Sequence, residues 1–147
     1  MATLEIAIGL ISVKHAGQKD KAGNPYVLHP LRVMLSMNTD EERIVAVLHD
    51  IIEDTDATAE LLLDMGFSEN IVNAVTALTK LKGESRLDAV QRTIQNPLAT
   101  AVKIADVRHN MDLSRLKIIT EKDKARNREY EKVLDVLLSA QHNKVVA

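Results

Sequence analysis

The sequence contains no cysteine and no tryptophan, and only 2% of its residues are aromatic. Without cysteine the chain offers no disulfide, no thiolate metal ligand and no cysteine nucleophile. A metal site in this protein must therefore consist of His, Asp and Glu ligands. Such a set suits manganese, iron, magnesium or octahedral zinc better than tetrahedral structural zinc.

The chain also lacks an excess of charge of one sign and a long apolar segment. Its formal net charge is -2, whereas a nucleic-acid-binding surface needs a marked basic excess. The apolar stretch from Leu4 to Val13 is interrupted by Glu5 and follows no basic segment, so it does not indicate a signal peptide. No run approaches the roughly 20 apolar residues of a membrane span. We therefore expect a cytoplasmic protein without nucleic-acid or membrane partners.

What the sequence does contain is helical periodicity. Hydrophobic residues make up 46% of the chain and charged residues 27%, and β-type alternation is absent over any useful length. Apolar residues recur at the i, i+3, i+4 spacing of helices instead, which predicts an all-α protein. One face of the first helix shows this spacing with Leu4, Ala7, Ile8, Ile11 and His15. We expect residues 1–147 to form a single compact helical bundle with its core at about 4–141.

Capping residues, glycines and prolines set the ends of the predicted helices. Gly17 ends the first helix, and Pro30 lies in the first turn of a second helix that stops near residues 38–40. The third predicted helix runs from Glu41 to about Glu53. The remaining signals are a Thr39 or Asp40 cap for the third helix, a helix from the Thr58 cap to Gly66, one capped by Ser68, a short one over Arg86 to Ile94, one starting at Asn96 and Pro97, and one over Glu121 to Gln141 with a frayed tail after His142.

Ionisable side chains concentrate at the end of the third predicted helix. On a continuous helix, His49 and Glu53 are four residues apart and Asp50 and Glu53 are three apart, so all three project to one side. Apolar neighbours surround them, and burying an unpaired carboxylate costs several kcal/mol. A divalent metal neutralises such carboxylates and uses both imidazole and carboxylate as ligands. Taken alone, however, a His-Asp pair on a helix is common and gives weak support for a metal site.

Two further segments contain the same kinds of residue. His29 precedes a proline at a helix start, and Asp106 ends the segment that begins at Lys103. Each has a structural alternative, since His29 could be a cap residue and Asp106 a carboxylate on a helix surface. His15 lies on an apolar face, and we interpret it as a packed core histidine rather than a ligand. The metal site becomes the better interpretation when the clusters are taken together.

The three segments resemble the RelA/SpoT-type hydrolase domains and the small alarmone hydrolases of the HD superfamily. They follow in that family's order and at suitable spacing, and the resemblance covers roughly Leu4 to Leu138. The HD dipeptide is weak support by itself, whereas the combined set of motifs is strong. The resemblance implies an all-α HD domain with metal-dependent phosphohydrolase activity. The matching segments are His15–Gln18 with Asp20–Pro30, His49–Thr55 and Lys103–Asn110.

In the family that the chain resembles, four residues hold a divalent metal, usually manganese. Their counterparts here are His29, His49, Asp50 and Asp106. Glu53 and Asp54 match the two acids that are assigned to the attacking water. These roles agree with general chemistry, because metal binding lowers the pKa of water and a carboxylate within hydrogen-bond reach accepts its proton.

Four other residues match positions that contact the nucleotide in this family. Lys21 matches a lysine near the nucleotide, and Asn110 matches an asparagine that contacts the ribose region. Arg126 and Tyr130, four residues apart on the last predicted helix, match a pair that reaches the nucleotide and its phosphates. Further positive potential near the site is expected from the lysines Lys14, Lys80 and Lys103. We interpret the first two as solvated surface charges.

Asp20 departs from the pattern of the alarmone hydrolases, which commonly carry an arginine just before the lysine. A planar guanidinium stacks on a purine, whereas a carboxylate does not. In one interpretation, Asp20 puts negative charge beside Lys21 and weakens discrimination for guanine, so that Asp20→Arg should raise activity on guanine alarmones. In the other interpretation, Asp20 points into solvent from a flexible loop. The metal site and the reaction class are the same in both.

The resemblance implies hydrolysis of a phosphate ester or pyrophosphate bond on a nucleotide, with (p)ppGpp 3′-pyrophosphohydrolase activity as the main expectation. One alternative is a phosphohydrolase of another nucleotide, such as an adenine alarmone, NADPH or a nucleoside monophosphate. The other is a non-catalytic nucleotide-sensing domain. A synthetase role is not expected, because the family's synthetase is a separate domain for which 147 residues leave no room. The sequence leaves open the base, the metal, the leaving group and whether the chain forms a homo-oligomer.

Overall fold

The protein is helical throughout most of the chain that its computed structural model describes, which is the backbone of residues 1–146 and the side chains of residues 1–143. Within these residues the helices are α1 (Leu4–Lys14), α2 (Leu28–Leu35), α3 (Asp40–Leu48), α4 (Ile51–Asp54), α5 (Ala59–Asp64), α6 (Glu69–Leu78), α7 (Arg86–Thr93), α8 (Pro97–Met111) and α9 (Glu121–Val146). The same residues form no strand of a sheet, and an isolated β-bridge joins Lys19 and Pro25. The predicted all-α class is confirmed.

Side-chain oxygens begin most of these helices by accepting a hydrogen bond from an N–H of the first turn, which would otherwise lack a partner. The capping residues are Thr3, Thr39, Thr58, Ser68, Ser85 and Asn96. At Thr39 the cap is reciprocal, since Glu42 accepts a hydrogen bond from the Thr39 backbone N–H. The predicted caps at Thr58 and Ser68 are confirmed, and α3 has Thr39 rather than Asp40 as its cap.

The third helix forms the centre of the bundle. Five consecutive residues of α3, from Ile44 to Leu48, are buried, and the helix packs against α1, α2, α6 and α8. A helical segment that is apolar and buried on all sides, as the second half of α3 is, belongs to the interior of a protein. The residue that follows it, His49, therefore lies in the core rather than at the surface.

The prediction of one continuous helix from Glu41 to Glu53 is wrong. α3 and α4 are separate, and Asp50 between them has φ −102° and ψ 1°. The side chains of His49 and Asp50 have partners on other elements at this point, and these contacts override the local helical preference. The two residues consequently lie in a bend, and the helical spacing that related them to Glu53 does not hold.

The eighth helix joins the two hydrophobic clusters of the core. Ala99 and Val102 belong to the larger cluster, whereas Ile104 and Val107 belong to the smaller one. α8 packs on α2, α3 and α9. Asp106 lies between Ile104 and Val107 on this helix, so its carboxylate is buried in the middle of the bundle.

The last helix is longer than predicted. α9 continues to Val146, five residues beyond the predicted end at Gln141, because residues 121–146 contain neither glycine nor proline. The predicted frayed tail after His142 is therefore helical as far as Val146, while Ala147 lies outside the described residues. None of the described helices combines the length and the apolar character that crossing a membrane requires.

Candidate metal centre and adjoining cavities

Three parts of the fold bring ionisable residues together at the centre of the bundle. His29 lies on α2, and Asp106 lies on α8. His49 and Asp50 lie in the bend between α3 and α4. His29, His49 and Asp106 are at most 5% exposed. These are the four residues predicted to hold a metal, and the structure places them side by side.

The distances within this metal cluster are short. Nε2 of His49 lies 3.0 Å from Oδ2 of Asp50 and 3.3 Å from Oδ1 of Asp106. Nε2 of His29 lies 2.8 Å from Oδ1 of Asp106 and 3.9 Å from Oδ2 of Asp50. One ligand atom each of His29, His49 and Asp50 lies within 4.8 Å of the other two. Imidazole nitrogens and carboxylate oxygens thus converge on one point of the core.

The ring of His49 has a nitrogen without a hydrogen-bond partner. Nδ1 lies 2.6 Å from the carbonyl oxygen of Ala46, so in the neutral ring Nδ1 carries the proton and donates it. Nε2 then presents a lone pair, and among the described residues it has no hydrogen-bond partner although two carboxylates face it. A buried lone pair that faces carboxylate oxygens is unfavourable unless a proton or a metal ion lies between them. A divalent metal fits these donors, since it takes both nitrogen and oxygen ligands.

The metal cluster attracts positive charge. Although burial opposes protonation, the carboxylates of Asp50 and Asp106 raise the pKa of His49 well above its ordinary value. Burial also opposes ionisation of Asp106, yet Lys103 holds the pKa of that carboxyl well below its usual range. Nζ of Lys103 lies 2.8 Å from Oδ2 of Asp106. Lys103 therefore stabilises a buried carboxylate directly, beyond the general positive potential expected from the sequence.

Two residues without a role in the sequence analysis support the metal cluster. The hydroxyl of Tyr26 donates to Oδ2 of Asp50, and Nδ1 of His109 lies 2.6 Å from Nδ1 of His29. One of the two rings donates in the second contact, which fixes the orientation of His29. Partners of this kind orient metal ligands and adjust their basicity. Burial raises the pKa of Tyr26 and the Asp50 carboxylate adds to the effect, so the hydroxyl keeps the proton that it donates.

Sequence spacing contains part of the signal for these supporting residues. His109 and Asn110 follow Asp106 by three and four residues on α8, so all three share a face. Nδ2 of Asn110 donates to Oδ1 of Asp106 at 3.1 Å. A buried tyrosine hydroxyl usually has a partner. The partner of Tyr26 is 24 residues away, however, and no local pattern indicates it.

The two acids predicted to handle the water lie on α4 and have different surroundings. Oε1 of Glu53 accepts a hydrogen bond from the backbone N–H of Lys80 at 2.7 Å, so Glu53 is turned toward the loop after α6. Asp54 lines the same cavity as Asp50, and burial together with the Asp50 carboxylate raises the pKa of Asp54 to about 6. Of the two, Asp54 has the surroundings that suit a general base.

Lys14, Lys80 and His15, for which the sequence gives a simpler interpretation, make contacts outside the metal cluster. Lys14 forms an ion pair of 2.7 Å with Asp56, whose side chain is 83% exposed. Lys80 is exposed, and its Nζ donates to the carbonyl oxygen of Glu84 at 2.9 Å. His15 is 2% exposed, and its interpretation as a packed core histidine is confirmed. None of these contacts belongs to the metal cluster.

Two cavities adjoin the metal cluster and share part of their walls. The first has a volume of about 260 Å³, and we call it the basic cavity because its lysines and arginines outnumber its aspartates: Lys19, Lys21, Arg115 and Arg126 against Asp20 and Asp112. The second has a volume of about 220 Å³, and we call it the acidic cavity because its acids outnumber its lysines and arginines: Asp50, Glu53, Asp54 and Asp106 against Lys80, Arg86 and Lys103. Both are lined by Tyr26, Asn110 and Tyr130. The two cavities are therefore neighbouring parts of one site.

The basic cavity brings together the four residues predicted to contact a substrate, namely Lys21, Asn110, Arg126 and Tyr130. The guanidinium of Arg126 donates to Asp123. The guanidinium carbon of Arg86 lies 4.9 Å from the centre of the Tyr130 ring, a cation–π contact. Arg86 also lines the acidic cavity and is a cation that the sequence analysis missed.

Asp20 does not point into solvent, so that interpretation of the sequence is wrong. Its side chain is 14% exposed, and its Oδ2 lies 3.3 Å from Nη1 of Arg115. Its Oδ1 accepts hydrogen bonds from the backbone N–H groups of Ala22 and Asn24, each at 2.9 Å. Asp20 therefore organises its own loop and holds an arginine that comes from a distant part of the chain.

The fold and the site define an all-α domain with a histidine–aspartate cluster held between α2, the α3–α4 bend and α8. The HD domain family matches residues 7–136, and the chain belongs to this family. Over 105 residues it is 34% identical to the guanosine-3′,5′-bis(diphosphate) 3′-pyrophosphohydrolase of Aquifex aeolicus, a match that covers 63% of this chain and 15% of the relative. Over 114 residues it is 39% identical to the GTP pyrophosphokinase of Myxococcus xanthus, which covers 66% and 15%. The chain thus spans about 15% of the length of these relatives.

The fold is also similar to the solved structure of a metazoan orthologue of SpoT, a protein described as hydrolysing ppGpp and acting in starvation responses. The TM-score is 0.74 at 24% sequence identity, and the match covers 93% of this chain and 86% of the other. At this identity the similarity establishes the common fold. Together with the sequence relatives, it confirms the resemblance that the three motifs indicate.

Proposed function

We propose that the protein is a metal-dependent phosphohydrolase that removes the 3′-pyrophosphate of (p)ppGpp. The observation that supports this most strongly is the metal cluster itself, in which the carboxylates of Asp50 and Asp106 face the unpartnered Nε2 of His49 and also face Nε2 of His29. A cavity lined by cations adjoins it, as a phosphorylated ligand requires. Relatives named for this activity occur in Aquifex aeolicus and, as a probable assignment, in Mycoplasma genitalium.

The metal would be held by His29, His49, Asp50 and Asp106. When bound, it would supply Lewis-acid polarisation of a phosphoryl group and a stronger water nucleophile. Tyr26 and His109 would keep two of these ligands in place through their contacts with Asp50 and His29. Manganese as the ion, which the family resemblance implies, and the cytoplasm as the location are the finer parts of this proposal.

We assign the role of general base to Asp54. It lines the acidic cavity together with Asp50 and Asp106. Without metal its pKa is raised to about 6, and a bound metal would lower it, so the carboxylate is ionised at neutral pH and able to accept a proton from water. Glu53 supports the wall of the cavity by holding the Lys80 backbone, so its contribution to the proton transfer is smaller.

The nucleoside and its other phosphates would bind in the basic cavity. Lys21 and Arg126 supply positive charge for phosphate groups. Because Nδ2 of Asn110 donates to Asp106, the amide oxygen of Asn110 remains an acceptor for a ribose hydroxyl. Tyr130 lines both cavities and would contact the ligand where it passes from one to the other.

A panel of nucleotides incubated with the manganese-loaded chain tests this proposal. The panel contains ppGpp, its adenine counterpart, NADPH and nucleoside monophosphates, with products separated by chromatography and phosphate and pyrophosphate measured separately. We expect ppGpp to give GDP and pyrophosphate, and a chelator to stop the reaction. Release of phosphate alone, or turnover of a different nucleotide alone, contradicts the assigned substrate. Nucleotide binding without any turnover contradicts the enzyme and favours a sensing domain.

A further inference from the structure

An ion pair within the basic cavity connects two segments that are far apart in the sequence. Oδ2 of Asp20 lies 3.3 Å from Nη1 of Arg115, across a separation of 95 residues. The two side chains are 14% and 26% exposed, respectively, and both residues line the cavity. The pair therefore links the loop after α1 to the connection between α8 and α9.

The position of the Asp20 carboxylate is set by the backbone of its own loop. The N–H of Gly23 donates to the carbonyl oxygen of Asp20 at 3.0 Å, and Gly23 has φ 85°, which only glycine adopts readily. This tight turn brings the N–H groups of Ala22 and Asn24 to Oδ1 of Asp20. Oδ2 stays available for Arg115, so the guanidinium is held against a fixed point.

The contact with Asp20 leaves most of the Arg115 guanidinium available. An arginine has five N–H groups in a rigid plane, and this contact uses one of them. The Nε edge is buried without a hydrogen-bond partner among the described residues, whereas about a quarter of the side chain, 26%, is exposed. The remaining Nη–H groups are available as donors to a ligand of the cavity.

The surroundings of Arg115 suit an uncharged planar group better than a phosphate. Asp20 offsets the positive charge of Arg115, while Lys19 and Lys21 on the same loop are exposed cations. The apolar side chains of the cavity belong to the same two segments as the ion pair, namely Ala22, Leu113 and Leu116. None of these apolar residues lines the acidic cavity, so they belong to the wall of the basic cavity alone.

We propose that Arg115 contacts the nucleobase of the substrate and that Asp20 is its positioning residue. This inference rests on the proposed function only in taking a nucleotide as the ligand of the basic cavity. Guanine presents two adjacent acceptors, O6 and N7, which match two N–H groups of a guanidinium, whereas adenine presents one acceptor beside a donor. The pair therefore favours guanine, which is the opposite of what Asp20 suggests when the sequence is considered alone.

Equilibrium binding of GDP and of ADP to the full chain, measured by calorimetry with manganese present, tests the pair. We expect the wild type to prefer GDP and Arg115→Gln to weaken GDP binding by about five- to hundredfold while changing ADP binding much less. Arg115→Lys should not restore the preference, because an ammonium lacks the planar pair of donors. Asp20→Asn keeps an oxygen for the two loop N–H groups and removes the charge, so it should reduce the preference without unfolding the loop.

Several results overturn the proposal. Equal loss of GDP and ADP binding in Arg115→Gln, or rescue by Arg115→Lys, shows that Arg115 contacts a phosphate instead. Equal or undetectable binding of the two nucleotides by the wild type shows that the pair does not select a base. A matched control is Arg43→Gln, which removes a surface arginine that pairs with Asp40 at 3.1 Å and should leave both affinities unchanged.

Turnover of ppGpp, measured on the same samples, separates this inference from the proposed function. A wild type that selects GDP through Arg115 but hydrolyses no nucleotide refutes the proposed function and retains the inference. Hydrolysis of ppGpp by a protein whose base selection is unaffected by Arg115→Gln supports the proposed function and refutes the inference about Arg115. Asp20→Arg sharpens the contrast, because it should lower guanine selection by repelling Arg115, whereas the sequence alone predicts a gain.

Discussion

The metal cluster and the basic cavity place their charged side chains in different ways. Three of the four cluster residues are at most 5% exposed. Asp106 contacts four residues, namely His29, His49, Lys103 and Asn110. The charged groups of the basic cavity come instead from the loop at 19–25, the connection between α8 and α9 and the first part of α9, and Arg115 is held there by one ion pair.

Because of this difference, a substitution in the metal cluster should affect more residues than a substitution in the basic cavity. In a buried network, removing one member leaves its partners unpaired in a medium that cannot solvate them. In an open cavity, a substitution removes one contact and water replaces it. We therefore expect large and coupled effects on metal and activity in the cluster, and smaller, substrate-specific effects in the cavity.

The largest effect should come from His49→Ala. Removing this ligand should lower the rate of hydrolysis by about 10³-fold or more even at saturating manganese, because the metal supplies several kcal/mol of transition-state stabilisation. Steady-state kinetics on ppGpp measure it. His142→Ala removes an exposed histidine of α9 and should keep the wild-type rate. If His49→Ala also keeps that rate, the cluster is not the reaction centre.

Asp54→Asn should come next, because it removes the general base and leaves the metal ligands in place. We expect kcat to fall by about 10²–10⁴-fold with unchanged metal content. Glu53→Gln should have a smaller effect, since its amide oxygen still accepts the hydrogen bond from Lys80. Asp56→Asn, at a side chain that is 83% exposed, serves as the control. A larger loss in Glu53→Gln than in Asp54→Asn would reverse the assignment of the base.

Tyr26→Phe tests whether the outer contacts of the cluster matter. Without the hydroxyl, Asp50 loses a hydrogen bond that orients its carboxylate, so metal affinity should fall by about 10–100-fold. A metal titration of the purified protein measures this. Tyr130→Phe removes the hydroxyl of the chain's other tyrosine and should leave metal affinity unchanged. Equal metal affinities in the two variants would show that the Tyr26 contact is dispensable.

The smallest effect concerns the ionisation of Asp54. Burial and the Asp50 carboxylate raise its pKa to about 6, so in the metal-free protein it should titrate near that pH by carbonyl-carbon NMR. Because its folded-state pKa lies above the unfolded value, its contribution to stability is present at low pH and is lost as the pH rises through about 6. Asp50→Asn should lower the pKa, and so should adding the metal. A pKa near 4 in the metal-free wild type would contradict this.

The fold class and the main segments of the site could be predicted from the sequence because their signals are local. Helical spacing and caps such as Thr58 and Ser68 involve residues three or four positions apart. Each cluster residue also lies in a short segment of recognisable type, such as His49 followed by Asp50. The expected roles of these residues come from the resemblance of the segments to a known family.

The remaining features depend on contacts between distant residues, which a local pattern does not contain. Asp20 and Arg115 are 95 residues apart, and neither residue indicates the other. The bend at Asp50 arises in the same way, because its carboxylate is held by Tyr26 from another segment. The predicted end of α9 is wrong for a different reason, since no glycine or proline follows Gln141 to end the helix there.

Residues from three distant segments of the chain are proposed to hold one divalent ion, and metal content tests this most directly. The full chain is reconstituted with manganese, freed of excess ion by desalting and examined by elemental analysis. We expect about one equivalent of metal per chain in the wild type and only background in His49→Ala. A wild type that retains no metal, or a His49→Ala variant that retains as much as the wild type, would contradict the assignment of the cluster.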